Sequence, residues 1–157
     1  MMRNYKLWRR MKVVANSVVD KPFAHPCNPP ETFDCVALVK YVYDELDWSF
    51  PWAEIVEACG DPSLVDLGWW KDETQPNYFE IAVKIACDEI KPTQLYAGDL
   101  VLFRLTHPDR PTHAAVSVDG SQFVHVIADG KVQCPRLIGL YEKRMYGAYR
   151  IKKEYRL

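Results

Sequence analysis

Apolar side chains at Leu7, Trp8, Met11, Val14, Ala15 and Val18 recur at three- and four-residue steps, which predicts a helix over residues 5–19. The positions between them are basic (Lys6, Arg9, Arg10 and Lys12, with Arg3 just before), and they read as the solvated face of that amphipathic helix. Pro22, Pro26, Pro29 and Pro30 crowd the next segment, so residues 21–31 must be an extended loop. A second helix is predicted from Asp34 to Leu46, with Thr32 or Asp34 available as N-cap. Val36, Val39, Val42 and Tyr43 give it apolar groups on more than one side, as in a central buried helix. Residues 51–92 read as helical where they are regular, above all over 77–90. From Asp99 onward the period changes to two, predicting strands at 100–105, 113–118, 122–127, 131–134 and 148–152. Asp119-Gly120 and Asp129-Gly130 lie between strand runs and signal tight hairpins. Helices followed by an antiparallel sheet of about five strands make an α+β fold, a single domain over residues 1–157.

Composition narrows the function. Hydrophobic residues are 48% and charged residues 26% of the 157, an ordinary globular balance. The net charge of −1 gives no electrostatic signal for nucleic acid or for an anionic membrane. No apolar run approaches the ~20 residues of a membrane span. No apolar stretch followed by a small-residue cleavage site marks a secretory signal, so the expectation is a chain that is cytoplasmic as synthesised unless another system exports or packages it. Five cysteines (Cys27, Cys35, Cys59, Cys87 and Cys134) are odd in number and irregular in spacing, a poor disulfide framework that suits a reducing compartment.

Three residues carry candidate chemistry. Cys35 stands where the proline-rich loop ends and a helix begins, where unpaired N–H groups and the positive end of the dipole favour a thiolate and can hold an oxyanion. Cys59, Cys87 and Cys134 lie inside or beside apolar runs and read as small core residues. His113 opens a strand just after a loop, a setting that fixes the backbone and exposes the imidazole. His125 lies one strand later. A hairpin at Asp119-Gly120 sets His113 near Val126 and so beside His125, close enough for one imidazole to orient the other. A slip of one residue in register decides whether they share a sheet face.

With these residues in place, four blocks resemble those of the NlpC-type cell-wall cysteine peptidases: D-C-x-x-L-V-x-x-V-Y from Asp34, A-G-D-L-V-L-F from Ala97, T-H-A-A-V-S-V-D-G from Thr112, and F-V-H-V from Phe123. The resemblance runs from about Val18 to Arg150. It implies a papain-like fold with N-terminal helices packed on a C-terminal antiparallel sheet. It also implies Cys35 as nucleophile, His113 as base and His125 as the residue that orients the base. The closing G-A-Y-R stretch resembles the phage-tail branch, which implies delivery with phage-tail proteins; secretion-system proteins would serve equally. The implied reaction is acyl transfer on peptidoglycan stem peptides, at a D-glutamyl to diamino-acid bond, with no cofactor and no metal. The C-x₇-C spacing of Cys27 and Cys35 is not that of a structural zinc site.

The chain also departs from the family pattern. Phe23 replaces the tyrosine whose hydroxyl sits near the oxyanion in relatives, Val36-Ala37 replaces Ser-Gly after the nucleophile, and Ser117 replaces a strand tyrosine. Substrate- and oxyanion-side candidates are therefore Asp34, Phe23 and His25. Two other readings stay open: an amidase, deamidase or acyltransferase on the same fold, and a catalytically silent structural or assembly protein.

Overall fold

The computed structural model describes residues 5–59 and 77–156. Helix α1 (Tyr5–Val18) buries Met11, Val14, Ala15 and Val18, one stripe at the expected spacing. Helix α2 (Cys35–Glu45) buries Cys35, Leu38, Val39, Val42 and Tyr43. Asp34 caps it from an extended conformation, its side chain accepting the Ala37 N–H at 2.8 Å. Helices α3 (Trp52–Cys59) and α4 (Tyr78–Ala86) follow. The part of the expected middle helical region at residues 60–76 lies outside the described residues, as do Arg3 and the side chain of Cys59.

The predicted helix over 77–90 stops at Ala86, and residues Cys87–Ile90 form strand β1. Nothing between Ile85 and Ile90 is a glycine or proline, so the change from helix to strand carries no breaker in the sequence. Strands β2 (Leu100–Phe103), β3 (His113–Ser117) and β4 (Phe123–Val124) follow; helix α5 (Leu140–Arg144) then leads into β5 (Met145–Ile151). The five strands are antiparallel in the order β1-β5-β2-β3-β4, so the sheet is not a plain meander: β5 enters between β1 and β2. The predicted strand at 131–134 is reduced to single bridges, Lys131 to Pro22 and Gln133 to His125, where the chain runs alongside the sheet rather than in it.

Alternation puts Leu100, Leu102, Ala114, Val116 and Val124 in the main core with α1 and α2. Val101, Phe103, Ala115, Phe123 and Ala148 face the other way into a second cluster, against Leu95 and Tyr141. Two blocks of the sequence pattern lock this architecture. Asp99, with a side chain 4% exposed, accepts two hydrogen bonds from Arg150 at 2.9 and 2.7 Å and one from the Tyr96 N–H at 2.8 Å. Gly98 has φ +85, and a Cβ there would meet the Trp48 ring at 2.5 Å; its carbonyl accepts from the Tyr43 hydroxyl. No helix among the described residues is long and apolar enough to cross a membrane.

Candidate active site

The first residue of α2 is Cys35, 7% exposed. Two forces oppose each other at its sulfur. Burial and then the neighbouring Asp34 carboxylate push the thiol up to about 12, while the backbone N–H groups of Ala114, Cys35 and Val36 pull it down. The helix start therefore does supply donors, as its position predicts. Desolvation outweighs them, and the resting group is a neutral thiol. Those same N–H groups form a ready set of donors for negative charge developing beside the sulfur.

The two histidines come from β3 and the segment following β4. Val116 pairs with Val124 and Ser117 with Phe123, one residue over from the pairing expected from the turn. That shift gives His113 and His125 the same side of the sheet. His113 Nε2 lies 2.8 Å from His125 Nδ1, and the rings meet nearly edge to face at 74°. Both are buried, at 5% and 1% exposure. Burial, with His125 adding to it, lowers the His113 pKa to about 3; burial lowers that of His125 to about 4. Phe123 and Tyr141 stand edge-on to the His125 ring with centroids at 4.9 and 5.3 Å, and Phe103 lies 5.9 Å from His113. This aromatic wall holds the pair and keeps it dry. Tyr141, on α5, belongs to no spacing pattern that would have singled it out.

Cys35 and His113 line one small cavity of about 110 Å³, together with Phe23, Asp34, Thr112 and Ile127. The cavity is too small to enclose a drug-sized ligand, so it suits a slot in which one bond of a larger, extended molecule is presented. Phe23 faces it with an apolar ring. His25 does not line it: its Nδ1 sits 3.0 Å from Asp34 Oδ2, on the carboxylate next to Cys35 in sequence. Asp34 thus uses Oδ1 to cap α2 and Oδ2 to hold His25, with the Cys27 sulfur 3.8 Å from the same oxygen. Ser117 accepts the Gly120 N–H at 2.9 Å and serves the hairpin turn. Among the described residues no group of three or more His, Cys, Asp or Glu side chains is arranged to hold a metal ion.

Comparison with known proteins bears on the same features. No curated protein matches the chain. Among solved structures, a lipoprotein-like NLP/P60 protein of Staphylococcus aureus is similar at 21% identity and a TM-score of 0.62, over 96% of this chain and 43% of its own. The chain therefore spans less than half the length of that relative. The NlpC/p60 domain of the peptidoglycan hydrolase SagA is similar at 17% identity and a TM-score of 0.57, over 91% of this chain and 97% of that domain. RipD of Mycobacterium tuberculosis, described as a non-catalytic NlpC/p60 domain protein adapted to peptidoglycan binding, is similar at 14% identity and a TM-score of 0.55, over 94% of this chain and 97% of its own. At these identities the likenesses speak for the fold alone. A family model matches directly over residues 20–150, most of the chain, and with it the chain belongs to the NlpC/P60 family.

Proposed function

We propose that this protein is a cysteine endopeptidase that cleaves amide bonds in peptidoglycan stem peptides, with Cys35 as nucleophile, His113 as base and His125 as the residue that orients it. The observation that carries this reading is the 2.8 Å contact between the two histidines, made by a histidine that shares its cavity with a helix-start cysteine. With Nε2 of His113 turned to His125, Nδ1 is the nitrogen left for the thiol. The productive tautomer has His113 donating its Nε2–H to His125 Nδ1. Proton transfer from Cys35 to His113 Nδ1 then accompanies attack of the sulfur on the carbonyl carbon. His125 accepts a hydrogen bond from the imidazolium so formed, and the N–H groups of Cys35, Val36 and Ala114 face the developing oxyanion. The imidazolium next protonates the leaving amine, and a thioester remains on Cys35. Water, deprotonated by His113, releases the acid and restores the thiol.

The family's typical activity as peptidoglycan hydrolases supports the substrate class, and the D-glutamyl to diamino-acid bond is the finer proposal. Delivery by a phage tail or a secretion system is part of the same proposal. Purified cell-wall sacculi digested with wild type and with Cys35→Ala, followed by mass spectrometry of the muropeptides, test it: new stem-peptide termini are expected with wild type alone. An amidase or acyltransferase would leave the stems intact yet modify another acyl group. A second reading, binding to the wall without turnover, is favoured by the burial of Cys35 and by the missing hydroxyl at Phe23. Sacculi that retain the protein and remain uncut would establish that reading instead.

A further inference from the structure

One polar pair beside the site is unused by this mechanism. His25 and Asp34 are nine residues apart and meet at 3.0 Å; the His25 side chain is 29% exposed and that of Asp34 only 8%. Asp34 is both the cap of α2 and the residue before the nucleophile, and it is the charge that disfavours a thiolate at Cys35. A carboxylate in that position is needed for the helix start and is at the same time a liability for the sulfur. A partner cation on its far side resolves the conflict without disturbing the cap, because the cap uses Oδ1 and the partner uses Oδ2.

We propose that His25 is a positioning residue for Cys35: it holds the capping carboxylate of Asp34 and, in its protonated form, cancels the negative charge that Asp34 would otherwise impose on the nucleophile. The proposal rests on Cys35 being the nucleophile. The other groups around the sulfur do not duplicate this role. His113 lines the same cavity as Cys35, and both it and its partner His125 are kept neutral by burial. Cys27 contacts Asp34 as a thiol held above its ordinary pKa, chiefly by burial. In the same region Lys21 is paired with Glu31 at 3.9 Å, and Lys131 bridges through its backbone to Pro22, next to Asp129 and Gly130 in the adjoining turn. With His25 neutral, the pair carries a charge of −1; with His25 protonated, it carries none. A protonated His25 therefore makes the thiolate easier to form than an unpartnered Asp34 carboxylate would allow.

The test reads the sulfur and not turnover. Rates of iodoacetamide alkylation at Cys35 are measured from pH 5.5 to 9 by tandem mass spectrometry, which separates Cys35 from Cys27, in wild type, His25→Gln and Asp34→Asn. Glutamine can keep the hydrogen bond to Oδ2 without a charge, and asparagine caps helices about as well as aspartate. Wild type is expected to react about three- to tenfold faster than His25→Gln at the acidic end, with the two converging at the alkaline end. Asp34→Asn is expected to react faster than wild type at the alkaline end. Equal rates for wild type and His25→Gln at every pH, or one constant ratio throughout, would overturn the charge role. A Cys35 that wild type never alkylates at any pH would instead overturn the assignment of the nucleophile, and this proposal with it.

Discussion

At Cys35 the sequence position and the packing pull in opposite directions: the helix start offers N–H donors, and burial still leaves a thiol near 12. In the proposed mechanism a neutral thiol sharing its cavity with a neutral imidazole needs His113 as its base, because the sulfur has no standing charge to attack with. His113→Ala is therefore expected to lose essentially all hydrolysis, within the range of about 10²–10⁴-fold or beyond that general-base removal brings. His125→Ala is expected to retain a measurable rate, since His113 keeps its place on β3; steady-state kinetics on a purified stem peptide compare the two, with circular dichroism to check folding. Phe23 lies on the cavity wall, and Phe23→Tyr is expected to change the rate by less than about tenfold, because three backbone donors already face the sulfur. A gain near the ~2.7–4 kcal/mol worth of one oxyanion donor would show that those N–H groups do not serve that role. The placement of Cys35 at a helix start and of His113 and His125 beside one another was legible in the sequence, because each sits at an element boundary or beside a turn signal. The contact of His25 with Asp34 was not, because it closes across a proline-rich loop with no period to read. His25 had been expected near the oxyanion, and it stands on the carboxylate instead.

At the scale of elements, the Gly-Asp block before β2 and the Tyr-Arg block in β5 prove to be one structural device, 51 residues apart in sequence. Arg150→Ala would leave Asp99 buried without its cation. Breaking a fully buried pair costs about 3–5 kcal/mol; with Arg150 26% exposed, about 2–3 kcal/mol is expected, read as a lower urea midpoint at unchanged slope. The helices were legible from spacing: Met11, Val14, Ala15 and Val18 are the buried positions of α1. Strand β1 was not, because residues 81–90 keep apolar groups at helical intervals straight through the transition at Ala86. The 131–134 segment failed for a different reason. It alternates as a strand should, but its hydrogen bonds go to the 20–23 loop and to His125, so it braces the site from outside the sheet. Alternation reports a half-buried extended chain, whether or not a ladder claims it.

For the molecule as a whole, the buried histidine pair links stability to pH. Both pKa values lie below the ordinary 6.5, so the unfolded chain takes up protons that the folded one refuses. The contribution of these groups is complete above about pH 6.5 and is lost as pH falls towards 4, at up to about 1.4 kcal/mol per pH unit for each histidine. A melting temperature that drops over this window, with a shallower drop in His125→Gln, is the expected outcome in differential scanning calorimetry. The strand order has another consequence, which concerns synthesis. β5, last of the five in sequence, lies between β1 and β2 and bonds to both. Until residues 145–151 have left the ribosome, β1 lacks its neighbour among the described strands and β2 presents an open edge. The nascent chain thus carries Cys35, His113 and His125 through translation on a sheet with a gap in it, and the amphipathic segments before the gap are what a chaperone would have to cover.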